Sequence, residues 1–165
     1  MKFTKAETKD ISLIQKIAWE SWQSAYAELL TQEQIEYMLG TMYSEKEIGE
    51  QLQNINYQYF IISLDNQNLG FIGYEHHYET ETTKLHRIYL LPEAKGKGVG
   101  KKTLDFLKEK VAKTADRRII LNVNKNNDAK KFYEACGFSV YDEGVFDMGN
   151  GFVMDDYLME FRLDK

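Results

Sequence analysis

The spacing of hydrophobic residues along the chain separates helical from extended segments. In the first third, apolar residues recur at intervals of three or four, which is typical of amphipathic helices. We predict a short strand in KFTKAE, a long helix capped by Asp10, and shorter helices in TQEQIEYMLG and SEKEIGEQLQN. Thr31 and Ser44 each stand three positions before a Gln or Glu, as in a capping box. The predicted apolar face of the long helix consists of Leu13, Ile17, Trp19 and Trp22.

Extended segments dominate the middle of the chain. YFIISL and LGFIGYEHHY are apolar runs of strand length around a polar turn, and they predict a β-hairpin. KLHRIYLLP predicts the next strand. After a glycine-rich loop, Leu104, Leu107 and Val111 recur at helical spacing, and RIILNV is a further apolar strand. Strand, helix and strand in this order predict a right-handed crossover with two parallel strands.

The last quarter predicts one helix and one hairpin. Asn126 or Asn127 is suited to cap a helix in DAKKFYEACG, and Gly137 is suited to end it. FSVYDEGVFDM and FVMDDYLMEFRL flank a Gly-Asn-Gly turn, which favours a tight hairpin. The second of these strands alternates apolar residues at Tyr157, Met159, Phe161 and Leu163. We therefore predict an α/β (α+β) fold with a mixed sheet and flanking helices.

Length and composition favour one compact domain over residues 1–165. The chain is 43% hydrophobic, has one proline, and contains no linker-like segment. It shows neither a signal peptide nor the roughly 18 consecutive apolar residues of a membrane span, so we expect a cytoplasmic protein without membrane contact. The net charge of −5 argues against nucleic-acid binding, which needs a positive surface. The single cysteine, Cys136, is expected to be a small buried hydrophobe.

The glycine-rich loop EAKGKGVGKKT is suited to bind phosphate, because glycine lets main-chain N–H groups approach an anion at a helix start. Its spacing excludes two common designs. An ATP-type loop needs a Gly-Lys pair five residues after its first glycine, and the dinucleotide fingerprint needs a third glycine at the sixth position; counted from Gly96, both fall on Lys101. What remains is a basic residue, Lys95, followed by Gly98 and Gly100.

Two segments together carry a family resemblance. LPEAKGKGVGKKTLDFLKEKV resembles the acetyl-CoA pyrophosphate loop of the GNAT N-acetyltransferases, and NVNKNNDAKKFYEACGF resembles the strand, loop and helix that follow it in that family. The resemblance implies the GNAT fold, with acetyl-CoA bound between two splayed parallel strands of the mixed sheet. It also implies an acetyl-CoA-dependent N-acetyltransferase that works by direct attack of an amine and without a metal.

The resemblance further implies which residues bind the coenzyme. Lys95 departs from the family, which usually has Arg or Gln there, and lysine lacks the bidentate geometry of arginine. The main chain of the strand before the loop would bind the pantetheine arm as an added strand. The implied coenzyme residues are Lys95, Gly96, Lys97, Gly98, Val99, Gly100 and Lys101 in the loop, Ile88, Tyr89 and Leu90 in the strand, and Asn122 and Asn126 opposite.

Acid and base candidates follow from the same comparison. Tyr133 corresponds to the family's tyrosine near the coenzyme sulfur, where a phenol can protonate the leaving thiolate. Relatives often carry glutamates on the strand before the glycine loop, but this chain has Lys84 and His86 there. His86 is one candidate to replace that base, because imidazole titrates near neutrality. Glu75, His76 and His77 are rivals, and the last two are expected on opposite faces of a strand.

The ends of the chain are similar to polyamine acetyltransferases of the PaiA type, which implies a small-molecule amine, a polyamine or diamine, as acceptor. Aromatic faces and carboxylates suit such a cation. The acceptor candidates are Trp22, Tyr26, Glu75 and the neighbouring acids Asp155 and Asp156; the aromatic pair is equally well explained as core. Three alternatives stay open: acetylation of a protein lysine, acetylation of a protein N-terminus, or a non-catalytic acyl-CoA sensor. A homodimer is one option for assembly.

Overall fold

The computed structural model describes residues 1–165, and its centre is a seven-stranded mixed sheet with helices on both faces. Two single-turn 3₁₀ helices, Thr8–Asp10 and Pro92–Ala94, precede α1 and α4. The elements are β1 Lys2–Lys5, α1 Ile11–Tyr26, α2 Gln32–Met42, α3 Glu45–Gln53, β2 Tyr57–Leu64, β3 Gln67–Glu79, β4 Thr82–Leu90, α4 Val99–Ala112, β5 Arg118–Asn124, α5 Ala129–Ala135, β6 Ser139–Gly149 and β7 Phe152–Arg162. None of these helices has the length and apolar character that crossing a bilayer requires.

The order of strands across the sheet is β1-β2-β3-β4-β5-β7-β6. Only β4 and β5 are parallel, and α4 connects them. All other neighbours are antiparallel. The predicted mixed sheet with one parallel pair is therefore confirmed.

The two parallel strands separate soon after they meet. Their pairing covers three positions, from Thr82 opposite Arg118 to Lys84 opposite Ile120. From there β4 stays paired with β3, and β5 stays paired with β7. The β5-facing edge of β4 is consequently left without a strand partner in the middle of the sheet. A bulge in the β3–β4 register at His86 accompanies the separation, since Tyr74 pairs with Leu85 and Gly73 with Arg87.

Two hydrophobic cores cover the two faces of the sheet. On one face α1, α2 and α3 bury residues that include Trp22, Ile35 and Tyr59. On the other face α4 and α5 bury Leu104 and Tyr133 with further apolar residues. The alternating residues of β7 belong to this second core: Met159 is buried, and Tyr157, Phe161 and Leu163 pack against it.

Among the helices α1 to α3, the helix starts agree with the predicted caps at two. The side chains of Thr31 and Ser44 each accept a hydrogen bond from the main-chain N–H three residues on. Asp10 precedes α1, but its carboxylate accepts a bond from the N–H of Glu7 and so closes the 3₁₀ turn instead. Trp19 was expected on the apolar face and is 43% exposed, because it follows the buried Ile17 by two residues and so lies about 200° around the helix from it.

The predicted helix end and the predicted hairpin are also present. Gly137 adopts a φ of 94°, and the N–H of Phe138 donates to the carbonyl of Tyr133, which forms a Schellman motif. Asn150 and Gly151 both have positive φ, 53° and 79°, and join β6 to β7 in a two-residue turn of type I′.

Candidate active site

A continuous path of three cavities crosses the sheet where β4 and β5 separate. We call them the loop groove, the strand gap and the methionine-lined cavity, with volumes of about 610, 230 and 500 Å³. Leu90 and Asn127 line both the loop groove and the strand gap. Tyr26, Tyr89 and Asn122 line both the strand gap and the methionine-lined cavity. A ligand can therefore extend from the glycine loop to the opposite face of the sheet.

The loop groove ends at the N-terminus of α4. Gly96 and Gly98 have φ angles of 78° and 69°, a conformation that favours glycine, and a Cβ on either would meet nothing within 4 Å. The first-turn N–H groups of α4 have no acceptor within the helix, so they are free to bind an anion. Gly100 serves packing instead, because a Cβ there would lie 3.0 Å from Cζ of Phe132. This groove has the geometry of a phosphate site.

Most of the predicted coenzyme residues line this path, and two do not. Lys97 lies outside the lining, and its N–H donates to the carbonyl of Ala94 within the turn. Asn126 is exposed and also lies outside, whereas Asn127 lines two of the cavities. Asn127 Oδ1 accepts from the N–H of Ala129 at the start of α5, and its Nδ2 donates to Oη of Tyr26. The neighbouring asparagine is thus the one that faces the groove.

The strand gap is lined by the unpaired edge of β4 and by three tyrosines, of which Tyr133 is the predicted acid. Ile88, Tyr89 and Leu90 line it from the unpaired edge of β4, and Asn122 lines it from β5. Tyr133 of α5 lies on the same wall and is 8% exposed. Burial, followed by the nearby phenol of Tyr89, raises the pKa of Tyr133, so its hydroxyl stays protonated. It is a donor at neutral pH.

The third cavity has flexible apolar walls and a few charges. Four methionines line it, together with the buried Trp22 and Tyr26, whose ring centroids are 4.7 Å apart. The methionines are Met38, Met42, Met148 and Met154. The ionisable groups on its walls are Tyr26, Tyr78, Tyr89, Lys84, His86, Arg87, Asp147 and Asp156. Such walls suit an extended aliphatic chain that ends in a polar group.

Of the two neighbouring acids on β7, Asp156 faces the cavity and Asp155 does not. Asp156 is 7% exposed, and its Oδ1 has no hydrogen-bond partner; Oδ2 lies 3.5 Å from Nδ2 of Asn122. Burial raises the pKa of this carboxyl. Asp155, which the sequence favoured, is exposed and binds Lys125 at 3.2 Å on the other face. The alternation along β7 could have identified Asp156 from the sequence. Asp155 lies on the same face of the strand as Tyr157 and Met159, which pack toward α4 and α5, so Asp156 lies on the opposite face.

His86 lies on the cavity wall, but it is not the neutral-pH base that the sequence predicted. Its Nε2 is 3.0 Å from Oε1 of Glu75, and its ring stacks on Tyr57. Burial lowers the pKa of His86 to about 4, outweighing the hydrogen bond to the carboxylate. Glu75, which the sequence placed among the acceptor residues, contacts His86 and is not part of the cavity lining. The imidazole is therefore neutral and a weak base at physiological pH.

The remaining two histidines belong to a separate network. His76 Nδ1 is 3.0 Å from the hydroxyl of Thr83, which donates to Asp116 at 2.7 Å. His77 has a φ of 58°, so the strand alternation breaks there and both rings reach the same network. His77 binds Asp116 through its main-chain N–H and its ring. Neither ring lines the path, and no group of three His, Cys, Asp or Glu side chains is arranged to hold a metal ion.

Comparison with known proteins agrees with this geometry. The sequence model of the acetyltransferase (GNAT) family matches residues 13–138, which is more than half of the chain. The chain belongs to the GNAT family. It therefore has the GNAT fold and is an N-acetyltransferase by family. The unpaired N–H groups at α4, the open glycines and the free edge of β4 fit acetyl-CoA, the acetyl donor of the family.

Three matches to known proteins illustrate the range of similarity. The spermidine N(1)-acetyltransferase of Thermoplasma acidophilum is 28% identical over 160 residues, covering 94% of this chain and 96% of that protein. The PaiA N-acetyltransferase of the same organism, solved in complex with coenzyme A, superposes with a TM-score of 0.83 and 25% identity, covering 98% of both chains. A 5-NmdU N-acetyltransferase of Pseudomonas phage PaMx11 is 39% identical over 77 residues, and this match spans 46% of our chain and about half, 53%, of that relative.

Proposed function

We propose that this GNAT protein transfers the acetyl group of acetyl-CoA to a primary amine of a small aliphatic molecule, a polyamine or a diamine. One observation carries the proposal: Asp156 lines the methionine-lined cavity and keeps one oxygen without a partner. A buried carboxylate is costly unless a cation or donor compensates it. The ammonium of an alkyl amine is charged at neutral pH and supplies both.

The rest of the cavity suits the chain that carries this ammonium. Trp22 and Tyr26 present aromatic faces, which attract cations, and the methionines adapt to a flexible methylene chain. The similarity to a spermidine acetyltransferase over nearly the whole chain supports a polyamine. At 28% identity it does not decide the acceptor by itself.

Each part of the path would have its own role in acetyl transfer. The glycine loop and α4 would hold the coenzyme phosphates, and the free edge of β4 would hold the pantetheine arm. Acetyl-CoA supplies an activated thioester carbonyl when bound. A main-chain N–H of Ile88, Tyr89 or Leu90 would stabilise the oxyanion, and Tyr133 would give its proton to the leaving thiolate.

An acceptor panel tests the proposal. The purified protein is incubated with acetyl-CoA and putrescine, cadaverine, spermidine, a lysine peptide or a peptide with a free N-terminus, and free thiol is measured. We expect the highest kcat/KM with a diamine or polyamine. Preference for a peptide would favour the protein acetyltransferase. Tight acetyl-CoA binding without turnover on any amine would favour the acyl-CoA sensor.

Lys84 favours a second candidate, an amine whose chain also carries an anionic group. Its side chain lines the same cavity, and its Nζ lies 4.8 Å from the ring centre of Tyr78. A positive charge there repels a second ammonium and attracts a carboxylate. Lysine and cadaverine differ only in the carboxylate, so the ratio of their kcat/KM values separates the candidates. The anionic acceptor would be favoured if kcat/KM is higher for lysine than for cadaverine and Lys84→Gln reverses this preference. The exposed control Lys46→Gln should leave the preference unchanged.

Two further proposals come from the sequence. We propose a homodimer, which sedimentation velocity tests, and a cytoplasmic location, which cell fractionation tests.

A further inference from the structure

Unpartnered polar atoms single out one carboxylate in the acceptor region. Six buried side-chain nitrogen or oxygen atoms lack a hydrogen-bond partner in the whole molecule. Two of them, Asp156 Oδ1 and Trp22 Nε1, belong to residues that line the methionine-lined cavity. Because native proteins satisfy nearly all buried polar groups, these atoms mark a place where a polar ligand completes the bonding.

Three other charged or titratable groups on the cavity wall, those of His86, Asp147 and Arg87, are already engaged in hydrogen bonds. His86 and Glu75 bind each other at 3.0 Å. Asp147 is exposed at the rim, and its Oδ1 accepts from the N–H of Gly149. Arg87 is a cation that donates to the carbonyl of Met42 and to Oη of Tyr59. Asp156 is the buried carboxylate on the cavity wall that keeps an oxygen without a hydrogen-bond partner.

We propose that Asp156 accepts the proton that the acceptor ammonium must lose before it attacks the thioester. The inference rests on the proposed function and deepens it, because it turns an ammonium-binding residue into a catalytic base. The carboxylate oxygen takes one proton from the ammonium and leaves a neutral amine. The amine nitrogen then bonds to the acetyl carbon, the carbon–sulfur bond breaks, and the second nitrogen proton passes through Tyr133 to the thiolate. Asp156 finally releases its proton to water.

The position of Asp156 fits this role. Asn122, whose Nδ2 faces Oδ2 of Asp156, lines both the strand gap and the methionine-lined cavity. The carboxylate therefore lies beside the boundary between the gap and the acceptor cavity. Asp156 is opposite Asn124 in the β5–β7 register, so two rigid strands fix its backbone.

The groups facing Asp156 define the pH dependence. Lys84 of β4 favours the charged carboxylate, and the neighbouring Asp155 opposes it. Tyr26 of α1 faces the carboxylate and stays protonated, because burial raises its pKa. His86, Arg87, Tyr78, Tyr89 and Asp147 share the cavity. Burial is the dominant influence and raises the pKa of Asp156, which makes it a stronger base than an exposed aspartate.

Steady-state kinetics of Asp156→Asn test the proposal, with Asp155→Asn as the matched control one residue away. With the best amine of the panel, we expect kcat at neutral pH to fall about 100-fold or more in Asp156→Asn. Acetyl-CoA KM should change little, and Asp155→Asn should keep wild-type rates. With trifluoroethylamine, which is largely neutral at the same pH, the defect should shrink to less than about 10-fold because there is little proton to remove.

The outcomes separate the inference from the proposed function. No turnover by the wild type on any small amine overturns the proposed function. An active wild type with an unchanged kcat in Asp156→Asn overturns only the role of Asp156, as does an equal loss with both amines. A higher KM for the amine with unchanged kcat assigns Asp156 to binding alone and also overturns the proposal.

A measurement on the wild-type protein does not depend on activity. Carbon-13 NMR of the side-chain carboxyl, assigned by the signal that is missing in Asp156→Asn and followed against pH in the wild type, reports the protonation of Asp156. We expect titration above the ordinary aspartate range and a downward shift when the amine is added. A carboxyl that titrates at or below the ordinary range would overturn the proposal.

Discussion

His86 Nε2 and Glu75 Oε1 lie 3.0 Å apart, and the imidazole stacks on Tyr57 with ring centroids at 4.9 Å and an angle of 11°. His86 lines the methionine-lined cavity at the bulge of β4, where two consecutive residues face the same side, and Glu75 lies behind it. The ring is held neutral by burial, so it shapes the cavity rather than titrating in it.

The first prediction concerns His86→Gln. Because burial lowers the pKa of His86 to about 4, its charge does not change between about pH 5 and 8. The pH–rate profile of the variant should therefore keep the acidic limb of the wild type, with an activity loss of less than about 10-fold. Loss of that limb would show that the imidazole titrates during catalysis.

The second prediction concerns Tyr133→Phe. The ring packs between Phe132 and Phe138, and phenylalanine preserves these contacts while removing the hydroxyl. We expect kcat to fall by about 100-fold with little change in acetyl-CoA affinity or thermal stability, since general acid catalysis is what is removed. The exposed Tyr141→Phe serves as control. An unchanged rate would remove Tyr133 from the mechanism.

The third prediction compares two glycines. Gly98 begins α4 with a φ of 69°, so Gly98→Ala should lower the free energy of unfolding by about 1 kcal/mol and weaken acetyl-CoA binding. Gly49 lies inside α3, where a Cβ meets nothing within 4 Å. Gly49→Ala should raise stability by up to about 1 kcal/mol and leave binding unchanged. Calorimetry of folding and of binding gives both quantities, and equal signs for the two variants would contradict the prediction.

The fourth prediction concerns the pH dependence of Asp116→Asn. Burial alone would raise the pKa of Asp116, but hydrogen bonds from His77 and Thr83 outweigh it and hold this pKa below the ordinary value. The unfolded chain therefore binds a proton more readily, and the stabilisation is present above about pH 4 and lost as pH falls through the folded pKa. At neutral pH the variant should lose about 2 kcal/mol of unfolding free energy. Denaturant titrations should show that the difference in unfolding free energy between variant and wild type shrinks in acid. The exposed Asp164→Asn serves as the control and should not show this difference.

Local patterns made much of this fold predictable. The glycine loop before α4, the cap at Thr31 and the Asn150–Gly151 turn each depend on residues close in sequence, so the chain reveals them directly. The parallel pair followed from the order of strand, helix and strand. These local features were sufficient to predict the family and the groove at the glycine loop.

Features set by distant partners were harder to predict. Alternation places Asp155 and Asp156 on opposite faces of β7. Which of these faces lines the methionine-lined cavity depends on how β5 and α1 pack against β7. The lowered pKa of His86 comes from burial among residues far apart in the chain, which no local pattern records. His77 does not follow the expected alternation, because its positive φ turns the chain so that its main-chain N–H donates to Asp116.

The early separation of β4 and β5 creates an edge inside a sheet rather than at its border. Exposed strand edges invite pairing with other polypeptides, and proteins usually protect them. Here α1 and α5 flank the edge, because Tyr26 and Tyr133 line the gap between the strands. A polypeptide strand carries a side chain at every residue, whereas an arm of amides and methylenes carries few branches. The flanking helices thus shield this inner edge from pairing with another polypeptide, while the gap stays open to a slender ligand.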